Sequence, residues 1–260
     1  MSLKTVTQTD ITNGFRALEL SEGDAVFVHS SLRSFGHVDG GAETVVRAFL
    51  EVIGASGTLG VPIFHRYFME GVDQVWDRHQ TPSLMGRLTE TVRTWPGAFH
   101  SGHAIHPVAA IGGQAQDFAD RDHKRDFDED SPFQWLVDHD AWIALLGVTY
   151  QNCTQIHLIE ERLEIPYRRW VERAGTVVDG KTRTFKTYHF FERYPGVGND
   201  FMPLGLALEK LGRVHIGTIG QSTVRLFKAR HLVDVGMEKA KRDPLFLVSE
   251  KTKTEGARYV

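Results

Sequence analysis

Short apolar runs alternate with amphipathic stretches along most of the chain. Asp24 to His29, Thr58 to Ile63, Val108 to Ile111 and Trp142 to Val148 are near-continuous apolar runs of strand length, as expected for strands buried on both faces. Between them, Thr7 to Glu19, Glu43 to Ile53, Leu84 to Trp95, Gln114 to Arg121 and Ser131 to Asp138 carry apolar residues at helical spacing. Gly54 and Pro96 stop two of these helices, and Ser131 stands where a cap belongs. A further helix is predicted from Asn152 to Leu163, with Asn152 as its N-cap and Pro166 past its end. His65 to Gln80 is irregular and aromatic-rich, like a flap. From Arg168 to Tyr188 the period changes to two, and Asp179-Gly180 signals a hairpin turn. Pro203 to Leu211 reads as helix, Gly212 to Ile219 as strand, and Thr223 to Ala240 as mostly helix.

Strands that alternate with helices predict an α/β fold. The expectation is a single large domain over residues 1–250, with a central mixed or mostly parallel sheet flanked by helices. An antiparallel hairpin insertion would occupy residues 168–200 of the C-terminal half, and residues 251–260 would form a frayed polar tail. A chain of 260 residues, 41% hydrophobic, can fill such a core without staples. The lone cysteine, Cys153, rules out an internal disulfide and suits a reducing compartment. The chain contains no apolar run of membrane-spanning length, and its first ten residues lack a signal core. A cytoplasmic protein without membrane attachment is expected. A net charge of −3 gives no support to nucleic-acid binding.

Chemistry concentrates at Thr154, His157 and Glu160, which recur every three residues and share roughly one helix face. A histidine at a helix start with a carboxylate one turn on can serve as a general base. The same spacing also describes a solvated polar face. Cys153 is either a nucleophile or a small filler. The histidines at 100, 103 and 106 lack a matching set of further ligands nearby, so no metal is expected. Asp126, Asp128, Glu129 and Asp130 form an acidic run that suits either a solvated loop or the attraction of a polycation. There is no Gly-x-Ser-x-Gly elbow, P-loop or dinucleotide fingerprint.

Five blocks in order resemble the aminoglycoside 3-N-acetyltransferase (antibiotic N-acetyltransferase) family. They are His29-Ser-Ser-Leu-Arg-Ser34, Gly54-x-x-Gly-Thr-Leu-x-x-Pro62, Ser131-Pro132, the Asn152/Thr154/His157/Glu160 set, and Asp243-Pro-Leu-Phe-Leu247 after a Gly-rich turn at 217–222. The resemblance implies an acetyl-CoA-dependent transferase acting on an aminoglycoside amine by direct transfer, without a metal. It implies His157 as the general base and Glu160 as its support. Ser30, Ser31, Leu32, Arg33 and Ser34 would bind acetyl-CoA, together with Ser101 and His103. Thr154, Asp126 and Glu129 would face the acceptor, and a homodimer is compatible with the family. The chain departs from the family's Arg-Ser-x-His-Pro at His100 to Pro107, where the His-Pro is either His103-Ala104 or His106-Pro107. Two other readings stay open: an acyltransferase of the same fold acting on a different amine, and a non-catalytic coenzyme A-binding protein.

Overall fold

The computed structural model describes residues 5–65, 68 and 74–255. Its centre is a seven-stranded mixed sheet in the order β4-β5-β2-β1-β6-β10-β9. The strands are β1 (Ala25–Ser30), β2 (Thr58–Pro62), β4 (Phe99–His100), β5 (Val108–Gly112), β6 (Trp142–Leu146), β9 (His215–Ile219) and β10 (Ser222–Lys228). The middle three, β2, β1 and β6, run parallel, and antiparallel pairs flank them. A second sheet joins the hairpin β7 (Arg168–Asp179) and β8 (Thr182–Arg193) to β3 (Gln74–Asp77), in the order β3-β7-β8.

Alternation along the central strands explains the layers. Phe27, Ile143, Leu145 and Phe227 point into one core, and Val26, Val28, Ala144, Leu146, Val224 and Leu226 point into the other. The first face is covered by α4 (Ala115–Ala119), α5 (Pro132–Asp138), α6 (His157–Arg162), α7 (Met202–Lys210) and α8 (Ala229–Arg242). The second is covered by α1 (Gln8–Ala17), α2 (Gly41–Ile53) and α3 (Arg87–Arg93). Thr7 and Asp10 form a capping box on α1. Ser131 caps α5 by accepting from the Gln134 amide.

Three expectations change. Thr223 to Lys228 is strand, because the tight turn at Gly220-Gln221 folds it back onto β9 and sets its apolar residues against β6. Asn152 caps no helix: the link from β6 makes two 3-10 turns, at Tyr150–Asn152 and Thr154–Ile156, and α6 starts only at His157. The tail begins as a helix, Glu250–Glu255, with Thr252 buried and its hydroxyl accepting from the Gly198 amide. The expected flap is half outside the described residues, and its other half supplies β3.

Topology brings four loops to one edge. Ser30 pairs with Leu146, so the loops after β1 and β6 emerge side by side at the carboxyl ends of parallel strands. β5 runs antiparallel to β2, so its leading segment, which ends at His106-Pro107, arrives at that edge too. β10 runs antiparallel to β6 and brings Ser222 there. Ser34 Oγ ties the first loop down by donating to Ser31 O (2.6 Å), and it lies 2.8 Å from Ser222 Oγ. Gly147 permits this approach, with a φ of +64° and a position where a Cβ would lie 1.8 Å from Ser34 Oγ. Gly147→Ala should therefore cost at least about 2 kcal/mol, from the left-handed backbone plus displacement of Ser34. Thermal melting should show a loss of roughly 4–8 °C. Ser34→Gly in the Gly147→Ala background should return part of it.

Candidate active site

His157 opens α6 and is held from several sides. Its Nδ1 lies against Glu160 Oε2 across one turn and 3.0 Å from Arg168 Nη2; pairing with the carboxylate assigns the proton to Nδ1 and the lone pair to Nε2. Glu160 is fully buried. Its Oε1 accepts from Tyr167 Oη at 2.8 Å and from Asn199 Nδ2 at 3.2 Å. Its Oε2 pairs with Arg168 Nη2 at 2.8 Å. Burial alone would raise the Glu160 carboxyl, but Arg168 and then His157 hold it below its usual value. The imidazole is pulled down by burial and next by the Arg168 charge, with Glu160 opposing. His157 is therefore neutral near pH 7, a quarter exposed at most, and set among Phe201 (5.4 Å between ring centroids), Phe127 (5.9 Å) and His106 (6.4 Å).

Sequence reasoning missed Tyr167, Arg168 and Asn199. Tyr167 is fully buried and Arg168 almost so. The available signal was their position straight after Pro166, where the chain must double back past the motif helix. Asn199, on a loop 39 residues beyond Glu160, gave no local signal.

His106-Pro107 leads directly into β5, and His106 is the ring beside His157. His103 lies deeper, stacked on His123 at 4.2 Å and against Tyr188. Between them sits Asp126, with Oδ1 3.3 Å from His103 Nδ1 and Oδ2 3.1 Å from His106 Nδ1. Ser101 and His103 are fully buried, and Ser101 Oγ accepts from the His103 amide at 3.0 Å. Neither presents a side chain to a donor, which departs from their expected role. Asp126 departs likewise: it is buried under two imidazoles, while Glu129 is exposed. Thr154 is buried in the second 3-10 turn, one turn ahead of His157. Burial pushes His103 well below its ordinary value, and it lowers His29, at the end of β1, to about 3.

The loop after β1 is partly open. Ser30 and Ser31 are partly exposed and Arg33 is exposed at the parallel-strand edge, where a strand-end loop suits phosphates. Ser34 is engaged in anchoring, and Leu32 packs its side chain against the second core. Cys153 is buried, and burial pushes its thiol up to about 12, so it is no thiolate near pH 7. Among the described residues no three His, Cys, Asp or Glu side chains gather in a metal-binding arrangement, and no helix is long and apolar enough to cross a membrane.

An imidazole–carboxylate pair thus stands beside the carboxyl edge of the parallel strands of an α/β layer. Residues 27–241 match the family described as aminoglycoside 3-N-acetyltransferase, and the chain belongs to it. It is 30% identical to the aminoglycoside N(3')-acetyltransferase-like protein YokD of Bacillus subtilis, over 88% of this chain and 90% of that one. It is also 30% identical to aminoglycoside N(3)-acetyltransferase VII of Streptomyces paromomycinus, over 89% and 90%. The solved structure of AAC-IIIb with CoASH superposes with a TM-score of 0.84 over 92% of this chain and 98% of that one, at 24% identity.

Arg168→Gln removes a cation from the His157–Glu160 pair. Both the loss of repulsion and the stronger hold of Glu160 raise the imidazole pKa. The acid limb of the pH–rate profile should move to higher pH. The variant should also melt lower, because removing one partner of a buried ion pair costs about 3–5 kcal/mol through the charge left uncompensated. A limb that stays in place would show that Arg168 does not act on His157.

Proposed function

We propose that this chain transfers the acetyl group of acetyl-CoA to an amine of an aminoglycoside, at its 3-amino position, by direct transfer within a ternary complex. The observation that carries the reading is a neutral His157, on the helix that follows the β6 loop, whose Nδ1 is bonded to buried Glu160. The family supplies the reaction class. The AAC-IIIb complex with CoASH supports acetyl-CoA as donor, and the naming of the Streptomyces relative supports the aminoglycoside acceptor. The same reading gives a cytoplasmic enzyme.

The amine must reach the thioester as its free base. Its nitrogen attacks the carbonyl carbon, the C–N bond forms, the C–S bond breaks, and the thiolate departs. His157 Nε2 takes the ammonium proton as the bond forms. Glu160 stabilises the resulting imidazolium through Nδ1–H. Ser30, Ser31 and Arg33 hold the donor's phosphates and pantetheine arm beside β1. Thr154 and the Phe127 and Phe201 rings shape the acceptor side. Alignment of amine and thioester supplies much of the rate. A buried, protonated Cys153 takes no part, so no acetyl-enzyme forms.

A different amine acceptor would keep this chemistry. Salt separates the two, because exposed charges are screened beyond about 8 Å at physiological ionic strength. The Michaelis constant for a polycationic aminoglycoside should rise with salt, and that for a monoamine should hold.

His157→Ala should lower acetyl transfer by roughly 10²- to 10⁴-fold, with little change in acetyl-CoA affinity. Coenzyme A release with an aminoglycoside panel measures it, and retention of more than about a third of wild-type turnover would remove His157 as base. Cys153→Ala should keep most activity, and mass spectrometry after incubation with acetyl-CoA alone should show no added acetyl group.

A further inference from the structure

One acid near the site has no chemical task in the mechanism. Glu161 follows Glu160 on α6, yet it faces away from the His157 network. Its side chain is 3% exposed, and neither carboxylate oxygen makes a well-formed hydrogen bond among the described residues, the Phe127 backbone N–H being a weak neighbour that favours the charged form. Arg125 Nε stands 3.7 Å from Oε1, beyond hydrogen-bond length. Leaving a buried carboxyl unbonded costs stability, so it is an anomaly in an otherwise satisfied helix.

Glu161 lines a cavity of about 330 Å³ between the 125–129 loop, α5 and α6. Phe127 lines that cavity too, and its ring also packs against the His157 imidazole at 5.9 Å. The cavity and the reaction centre thus share a wall one helical turn apart. Asp128, Glu129 and Glu164 add negative charge around the opening, and Arg125 and Arg162 add two positive charges. Burial, and then the Asp126 charge, push the Glu161 carboxyl up to about 8, with Arg125 partly opposing. A larger acidic pocket, about 680 Å³ and lined by Asp117, Asp120 and Asp122, offers no such group. Those three acids bond Trp135, Arg78 and Lys186, and a fourth, Asp130, is exposed.

We propose that the Glu161 cavity is a cation subsite that receives a second ammonium group of the acceptor while the reacting amine sits at His157. This rests on the acetyltransferase reading for its occupant, although the subsite itself is testable without turnover. A primary ammonium supplies the donors that the carboxylate lacks and the counter-charge that Arg125 gives only at a distance. It would make Glu161 a determinant of preference for acceptors with more than one amine.

The test is calorimetric titration of the whole chain with spermidine at pH 7.5, in two buffers of different ionisation enthalpy. An ammonium beside the carboxyl favours its charged form, so wild-type binding should release part of a proton. Glu161→Gln, which keeps volume, should bind at least tenfold more weakly and release none. Arg125→Gln removes the exposed competing guanidinium from the wall, and spermidine should bind it several-fold more tightly. No binding by wild type, binding without proton release, or equal affinity in wild type and Glu161→Gln would each overturn the subsite. Unchanged or weaker binding by Arg125→Gln would do the same. The acetyltransferase reading fails on a separate result, the absence of coenzyme A release with every aminoglycoside in the panel.

Discussion

A buried carboxylate must be surrounded by donors or it will not stay charged, and Glu160 sets that constraint here. Its donors come from three parts of the chain: His157 from the same helix, Tyr167 and Arg168 from the entry to the hairpin, and Asn199 from beyond it. One charge thereby joins the main sheet's layer to the second sheet. The 12-residue strand β7 can start where it does because Arg168 is pinned at its first position. Removing the charge would leave a buried guanidinium and orphaned donors, which is costlier than the bond itself is worth. The base and the architecture are thus stabilised by the same atoms.

Antiparallel flanks do comparable work for the geometry. In an all-parallel sheet, the segments leading into β5 and β10 would enter at the opposite edge. Their reversal delivers His106 and Ser222 to the edge where β1 and β6 end. That gathers residues 30–34, 106, 147–157 and 222 without any long excursion of the chain. The Ser34–Ser222 contact and the close approach at Gly147 fix the resulting seam.

The sequence pattern was legible where burial is two-sided and local. The apolar runs of β1, β2, β5 and β6 stand as predicted, as do the capped helices α1 and α5 and the hairpin at Gly180. His157 and Glu160, three residues apart, have the spacing of a contact on one helix face, but that spacing fits a solvated polar face as well, and the family resemblance was needed to choose. The pattern failed where tertiary partners decide. Thr223 to Lys228 carries apolar residues that suit either period, and only pairing with β6 selects the strand. Asn152 has the chemistry of a cap, but two 3-10 turns intervene before the helix. Asp126 reads as one of four exposed acids, and nothing local shows that the chain tucks it beneath His103 and His106.

The histidines packed around this edge also bear on how the fold meets acid. His29, His103, His123 and His157 are all held below the ordinary value of 6.5, with burial as the largest cause. The unfolded chain would take up protons at these positions as pH drops below about 6.5, while the folded chain takes them up only at lower pH. Stability is therefore complete above that point and drains away as pH falls toward the folded values, down to about 3 for His29. Acid tolerance in this protein is bounded by imidazoles that cannot be charged in place, and its limit lies closer to neutrality than carboxylates alone would set.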